Sequence, residues 1–195
     1  MRRMIVLAIG LCTTAFAACE SPEPPEAESS AMNEATKSAG TTGSEEPADD
    51  RSPFAGELDR DTILDGDEDW GARYDDVEVD EEIAEQLASV DPGASIEVYL
   101  GVWCSDSLRE VPRFWRALDV AGNAPFDVNH IGLDTEFSAG DVSLEGLDIE
   151  AVPTFIVYRD GKEVGRVVEN SPENIETHLL ALLTGEASGV ISASR

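Results

Sequence analysis

The chain has 195 residues, 42% of them apolar, and a formal net charge of −28 from 13 Lys+Arg against 41 Asp+Glu. That length suits one domain with appended segments, and so acidic a surface repels phosphate backbones and anionic headgroups, which argues against nucleic-acid partners and against attachment to acidic lipid through the surface. Three cysteines, Cys12, Cys19 and Cys104, are too few for a disulfide scaffold and lack metal-ligand spacing; two histidines, His130 and His178, exclude a multi-histidine metal centre. No cofactor is implied.

Arg2 and Arg3 precede an apolar run from Met4 to Leu11, and small residues then lead to Ala18 and Cys19. This is the order of a secretory signal peptide over residues 1–18, with an apolar run too short to span a bilayer. The FAAC of Phe16 to Cys19 resembles a bacterial lipobox, which implies cleavage before Cys19, acylation of that cysteine, and export to the cell envelope as a lipid-anchored protein. Cleavage after Ala17 is the alternative and leaves Cys19 a free thiol. Either way the signal removes two arginines and no acid, so the exported form is more acidic still.

Residues 19–53 are Glu, Ser, Ala, Pro, Gly and Thr with almost no branched or aromatic side chain. Such a stretch buries too little to offset its ordering entropy and reads as a disordered acidic linker. Residues 54–76 are an acidic N-terminal extension, expected to be irregular and anchored by Phe54, Leu58, Ile63, Leu64, Trp70 and Tyr74. Asp65, Asp67 and Asp69 alternate as in a calcium loop, yet the sixth position is Trp70 rather than glycine and the twelfth is Asp76 rather than glutamate, which favours a solvated acidic loop.

From Val77 to Gly185 the pattern becomes that of a compact α/β unit, followed by a flexible tail over 186–195. Asp80 caps a helix over 81–89, and 96–102 is an apolar strand that runs directly into Trp103, Cys104, Ser105, Asp106 and Ser107. Leu108, Val111, Phe114, Trp115 and Leu118 then recur at helical spacing up to Gly122. Residues 126–133 form a second strand, 144–149 a short irregular or helical turn, and 155–158 with 163–168 a hairpin around Asp160 and Gly161. Ser171 caps a last helix that begins at Pro172 and stops at Gly185. The order describes a mixed central sheet with helices on both faces.

The segment YLGVWCSDSLREVPRFW, with AVPTFIVYRDGKEVG further on, resembles the thioredoxin superfamily over residues 77–184. Trp103 directly precedes Cys104, Pro112 falls eight residues after that cysteine, and Val152, Pro153 and Thr154 match the family segment whose proline is cis. WCSDS is similar to a bacterial subgroup with an aspartate inside the turn. The resemblance implies a thioredoxin-like fold, Cys104 as a nucleophile at the start of a helix, and Val152, Pro153 and Thr154 as the clasp for an extended peptide or protein disulfide. A helix start favours a thiolate over a thiol, Asp106 opposes it, and Arg109 partly compensates.

The departures decide the chemistry that remains. Ser107 occupies the place of the resolving cysteine, so this CxxS turn is monothiol and an outside thiol must release any adduct. Val98 stands where relatives bury an aspartate that assists resolution, and Glu169 replaces a glycine that floors the groove, which makes the groove narrower and more acidic. His130 is either a hydrogen-bonded core or edge residue or a proton carrier near Cys104, and His178 is read as a surface residue. Three functions follow: thiol–disulfide exchange, a peptide-binding module without turnover, and a peroxide or thiol sensor. Intact mass of the exported protein is expected to show loss of residues 1–18 and a diacyl or triacyl increment on Cys19; an unmodified thiol there would remove the anchor.

Overall fold

The computed structural model describes residues 53–193; residues 1–52, which include the signal segment, Cys19 and nearly all of the acidic linker, and residues 194 and 195 lie outside the described residues. At the centre runs β2 (Ala94–Leu100), buried at almost every position. It pairs in parallel with β3 (Phe126–Gly132) on one side and antiparallel with β4 (Thr154–Arg159) on the other. Antiparallel β5 (Lys162–Val168) follows β4 through the Asp160–Gly161 turn, where both residues take positive φ. Two short strands close the edges: β1 (Gly56–Leu58) antiparallel to β3 and β6 (Gly189–Ile191) parallel to β5, giving the order β1-β3-β2-β4-β5-β6. The four inner strands have the strand–helix–strand then hairpin–helix connectivity that the resemblance implies.

The helices are α1 (Arg60–Gly66), α2 (Glu68–Asp76), α3 (Glu81–Leu87), α4 (Ser105–Ala121) and α5 (Ile175–Thr184). Asp80 caps α3 as expected, its carboxylate accepting the Ile83 N–H at 3.2 Å. Residues 60–76 depart from expectation: they fold as two helices rather than an irregular extension. Asp67, from the imperfect calcium pattern, instead caps α2 by accepting the Asp69 and Trp70 N–H groups. Ile63 and Trp70 are buried in the main core with Val111, Phe114 and Trp115 of α4, and Trp70 stacks obliquely on Trp115 at 5.7 Å. Acidic composition masked these helices because only one residue per turn or two points inward.

The expectation of helices on both faces is corrected. All five helices bury side chains in one core, against Ala94, Ile96, Val98 and Leu100. The opposite face carries a smaller cluster of Tyr99, Ile131 and Ile156, covered by Leu144, Leu147 and Ile149 from an irregular segment between β3 and β4. The tail is corrected also, since residues 189–191 add β6 to the sheet. The cap of α5 is Asn174, whose side chain accepts the Thr177 N–H at 3.0 Å, and not Ser171. Asn174 and the helix start after it displace the sequence estimate by three residues because Ser171 is engaged elsewhere: its hydroxyl donates to Glu110 of α4 at 2.9 Å.

One buried ion pair ties the helices together. Arg113 of α4 donates through Nε and Nη2 to both oxygens of Glu176 at 2.8 and 2.7 Å, and Glu176 also accepts the Asp80 N–H at 2.9 Å. Glu176 is fully buried, so its charge depends on these donors. Integration of α1 into the core is testable: Ile63→Ala should cost about 2–4 kcal/mol in urea unfolding, as for a buried aliphatic truncation, whereas a segment merely resting on the surface would lose under about 0.5 kcal/mol.

Candidate functional site

The site is built where β2 empties into α4. Leu100 ends the strand, and the next four residues turn tightly, with the Cys104 N–H donating to the Gly101 carbonyl at 2.9 Å. Ser107, fully buried in the first turn of α4, accepts the Gly101 N–H on its hydroxyl oxygen at 3.2 Å. Glycine at the first position lets the Trp103 ring lie over it, since a Cβ on Gly101 would stand 2.7 Å from the indole and the ring would have to shift.

Trp103 is laid over Gly101 and held there. Its Nε1–H donates to the Leu133 carbonyl at 2.9 Å, and Phe137 meets the ring edge-on at 6.2 Å. The side chain is nevertheless 47% exposed, the largest exposed aromatic among the described residues. The ring is therefore fixed in place yet open to solvent, and is not a core residue.

Cys104 is the N-cap residue of α4, with its carbonyl accepting the Leu108 N–H at 3.0 Å. The sulfur makes no side-chain cap, so it is not engaged by the helix N–H groups. The thiol instead donates to the Val152 carbonyl at 3.3 Å, and Cys104 is half-buried. Val152 and Pro153 are buried and joined by a cis peptide bond. Thr154, next in line, donates its hydroxyl to the Ala151 carbonyl at 2.8 Å and opens β4. Glu169 follows β5 and gives its N–H to the Pro153 carbonyl at 2.7 Å, with φ of 58°.

Ser105 is exposed at the start of α4. Asp106 is bound by Arg109 Nη1 at 2.8 Å, and Arg109 Nε donates onward to Glu110 at 3.0 Å. Hydrogen bonding to these two carboxylates raises the Arg109 guanidinium against the opposing effect of its burial, which is the largest single influence. Thus Trp103, Cys104, Ser105, Asp106 and Ser107 form one turn, its sulfur meets the Val152 carbonyl, and Pro153 and Thr154 continue the chain from there into β4.

His130 stands apart from that sulfur. Its Nε2 accepts the Trp115 indole N–H at 2.8 Å, and Trp115 is eleven residues along α4 from Cys104, about 16 Å at 1.5 Å per residue. Burial holds the imidazole down at about 4, aided by the nearby Arg60 charge, so the ring is neutral near pH 7. The Trp115 hydrogen bond fits the core or edge role, one of the two readings of His130. His178 lies half-buried on α5 with its Nε2 accepting the Glu173 N–H at 3.3 Å. Among the described residues no group of three or more His, Cys, Asp or Glu side chains is placed to hold a metal ion.

Sequence reading did not find the roles of Gly101, Leu133 and Phe137. A glycine between an apolar strand and a tryptophan is a signal of close approach and could have exposed the first. The Leu133 carbonyl and Phe137 reach the site only through folding of the segment after β3.

No family model matches the chain, and no curated protein does. Solved structures similar to it include a Pseudomonas aeruginosa protein of unknown function, 15% identical, with a TM-score of 0.53 over 69% of this chain and 95% of that one. Two others are an HIV epitope-scaffold, 15% identical with a TM-score of 0.46 over 68% and 86%, and mitochondrial thioredoxin 3 from Saccharomyces cerevisiae in its oxidised form, 17% identical with a TM-score of 0.31 over 58% and 98%. The connectivity of the four inner strands with α4 and α5 defines a thioredoxin-like fold. Its turn carries one cysteine where a dithiol member carries two.

The buried imidazole makes stability depend on pH. His130 has a folded value near 4 and an unfolded value near 6.5, so its contribution is fully present above pH 6.5 and is lost as pH falls toward 4. The loss attributable to this one residue between pH 7 and pH 4 should be about 3 kcal/mol, measured as the difference in urea unfolding between the wild type and His130→Gln, which keeps an acceptor for Trp115 without titrating in this range. Equal acid sensitivity of the two proteins would contradict it.

Proposed function

We propose that this chain is a membrane-tethered monothiol thioredoxin-like protein that performs thiol–disulfide exchange through Cys104. The observation that carries the reading is a half-exposed thiol at the head of α4, within 3.3 Å of the Val152 carbonyl and beside the exposed Trp103 ring. Deprotonated, the Cys104 sulfur attacks one sulfur of a partner disulfide; a Cys104–partner mixed disulfide forms and the other partner sulfur leaves as thiolate. An external thiol then attacks the mixed disulfide, forms a disulfide with the partner and returns Cys104 to the reduced state. Ser107 cannot take that second role, because a hydroxyl does not reduce a disulfide and its oxygen already accepts the Gly101 N–H.

The Val152 backbone beside the sulfur suits an extended peptide, and Trp103 offers it an apolar wall. Acylated Cys19, with the acidic linker as spacer, would hold the domain off the envelope membrane. A second reading keeps the groove as a peptide-binding module without turnover, favoured by the engagement of Ser107 in a structural hydrogen bond.

Trapping separates the two. Wild-type protein in envelope extract is expected to accumulate adducts through Cys104 without engineering, all released by dithiothreitol and all abolished in Cys104→Ala. Partners retained by Cys104→Ala, with no reducible adduct on the wild type, would establish the binding module instead.

A further inference from the structure

We propose that β6 is a pairing edge along which a second copy of this chain joins its sheet, strand to strand and antiparallel, about a two-fold axis at Val190. The inference is independent of the exchange reading. The sheet ends in β1 on one side and in β6 on the other, with no further strand beyond either among the described residues. Edges of this kind recruit strands from other molecules unless charge, proline or a bend deters them. β1 is protected, because it presents Glu57 and runs on into Asp59 and Asp61, all three exposed. β6 is not: residues 187–194 hold no charged side chain, in a chain that is 28% charged.

The strand is anchored on both sides of its exposed residue. Before it, the Ala187 N–H donates to the Ala181 carbonyl at 2.9 Å; after it, the Ala193 N–H donates to the Asn170 carbonyl at 2.8 Å. A Cβ on Gly165 would stand 2.6 Å from the Gly189 carbonyl, so a glycine is what lets β5 and β6 close on each other. Ala187 and Ile191 pack against the core. Between these anchors Val190 remains 69% exposed and, with Trp103, is one of two large apolar side chains left open among the described residues. A strand already ordered in this way accepts a partner strand at little further entropic cost.

Charge selects a second copy as the occupant. Two chains of net charge −28 repel each other, so they meet most readily where neither brings a charge, and the β6 edge offers that run to itself. An antiparallel two-fold contact is self-complementary: Val190 of one protomer lies opposite the partner's Val190, an apolar cross-strand pair flanked on both sides by the same uncharged residues. Three paired residues form an interface far smaller than the roughly 1,200 Å² of a stable complex, so the association is weak and reversible. β6 lies three strands from β2, about 14 Å across the sheet, so the contact uses neither Cys104 nor Trp103.

Sedimentation equilibrium of the full chain in dithiothreitol, which removes disulfide-linked dimers, is the test. The mass is expected to rise from monomer towards dimer with concentration, and the association constant to rise about tenfold between about 0.05 and about 0.5 M NaCl as the repulsion is screened. Val190→Lys should lower that constant about tenfold or more while its urea unfolding midpoint stays that of the wild type. In a second measurement Val190→Cys and Glu57→Cys are oxidised with copper–phenanthroline, and the first is expected to cross-link into dimer about tenfold faster. A wild type that stays monomeric at every concentration and salt, an association that Val190→Lys leaves unchanged, or equal cross-linking at the two edges would overturn the proposal. None of these results bears on thiol exchange at Cys104, which the trapping experiment decides separately.

Discussion

Burial of β2 between two partner strands is the constraint on which the rest depends. Ala94, Ile96, Val98 and Leu100 present one apolar row to the helices, while the backbone is paired on both sides, in register from Ala94 to Leu100 with β3 and from Ala94 to Tyr99 with β4. A strand so held cannot slip by one residue without turning its apolar row to the opposite face. Its C-terminal end, and therefore Gly101 and the first turn of α4, is fixed in space. The amphipathic side of α4 continues the same row through Val111, Phe114, Trp115 and Ala117. Cys104 stands at the junction of these two rigid elements, which is why a thiol with no cap contact still has a defined neighbour in Val152.

Excess negative charge is managed by using arginine side chains as local clamps. Arg60 binds Asp119, Arg109 binds Asp106 and Glu110, Arg166 binds Glu163, and Arg113 binds Glu176. The Arg60–Asp119, Arg109–Asp106 and Arg166–Glu163 pairs are partly exposed and each worth at most about 1 kcal/mol, while Glu110 is buried. The Arg113–Glu176 pair differs because one partner is fully buried, and its chief consequence is that removing Arg113 would strand a carboxylate in the core. This pair, with the Asp80 N–H, couples α4 to α3 and α5.

The two faces of the sheet serve different purposes. One carries all five helices and the large aromatics. On the other, an irregular segment covers Tyr99, Ile131 and Ile156, and Tyr99 donates to Glu97 at 2.8 Å. Burial and the Glu97 charge push the Tyr158 hydroxyl up to about 12 and act on Tyr99 in the same direction more strongly, so both stay protonated beside that carboxylate. The segment over this face also supplies the Leu133 carbonyl and Phe137 that hold Trp103. Irregular backbone thus contributes to the site what a regular helix, with its carbonyls already bonded, could not offer in the same place.

Local signals in the chain were enough to read β2, α4, the hairpin and the monothiol turn. Most rest on interactions between near neighbours, namely apolar periodicity, Asp80 as a cap and Asp160–Gly161 as a turn, whereas the monothiol turn rests on the resemblance carried by Trp103–Cys104 with Val152–Pro153–Thr154. The helices of residues 60–76 were hidden because acidic residues on their solvent faces outnumber Ile63 and Trp70 on the buried one. The fate of Ser171, the Trp115 partner of His130, the position of β6 and the placement of every helix on one face could not be read, since each depends on residues distant in the chain. Sequence alone determined that there would be one cysteine at a strand–helix junction without a second beside it, because that is a matter of which atoms exist. Only the tertiary structure decided that its sulfur meets the Val152 carbonyl and that Trp103 stays open beside it, because those contacts arise when segments about fifty and thirty residues away are brought together by packing.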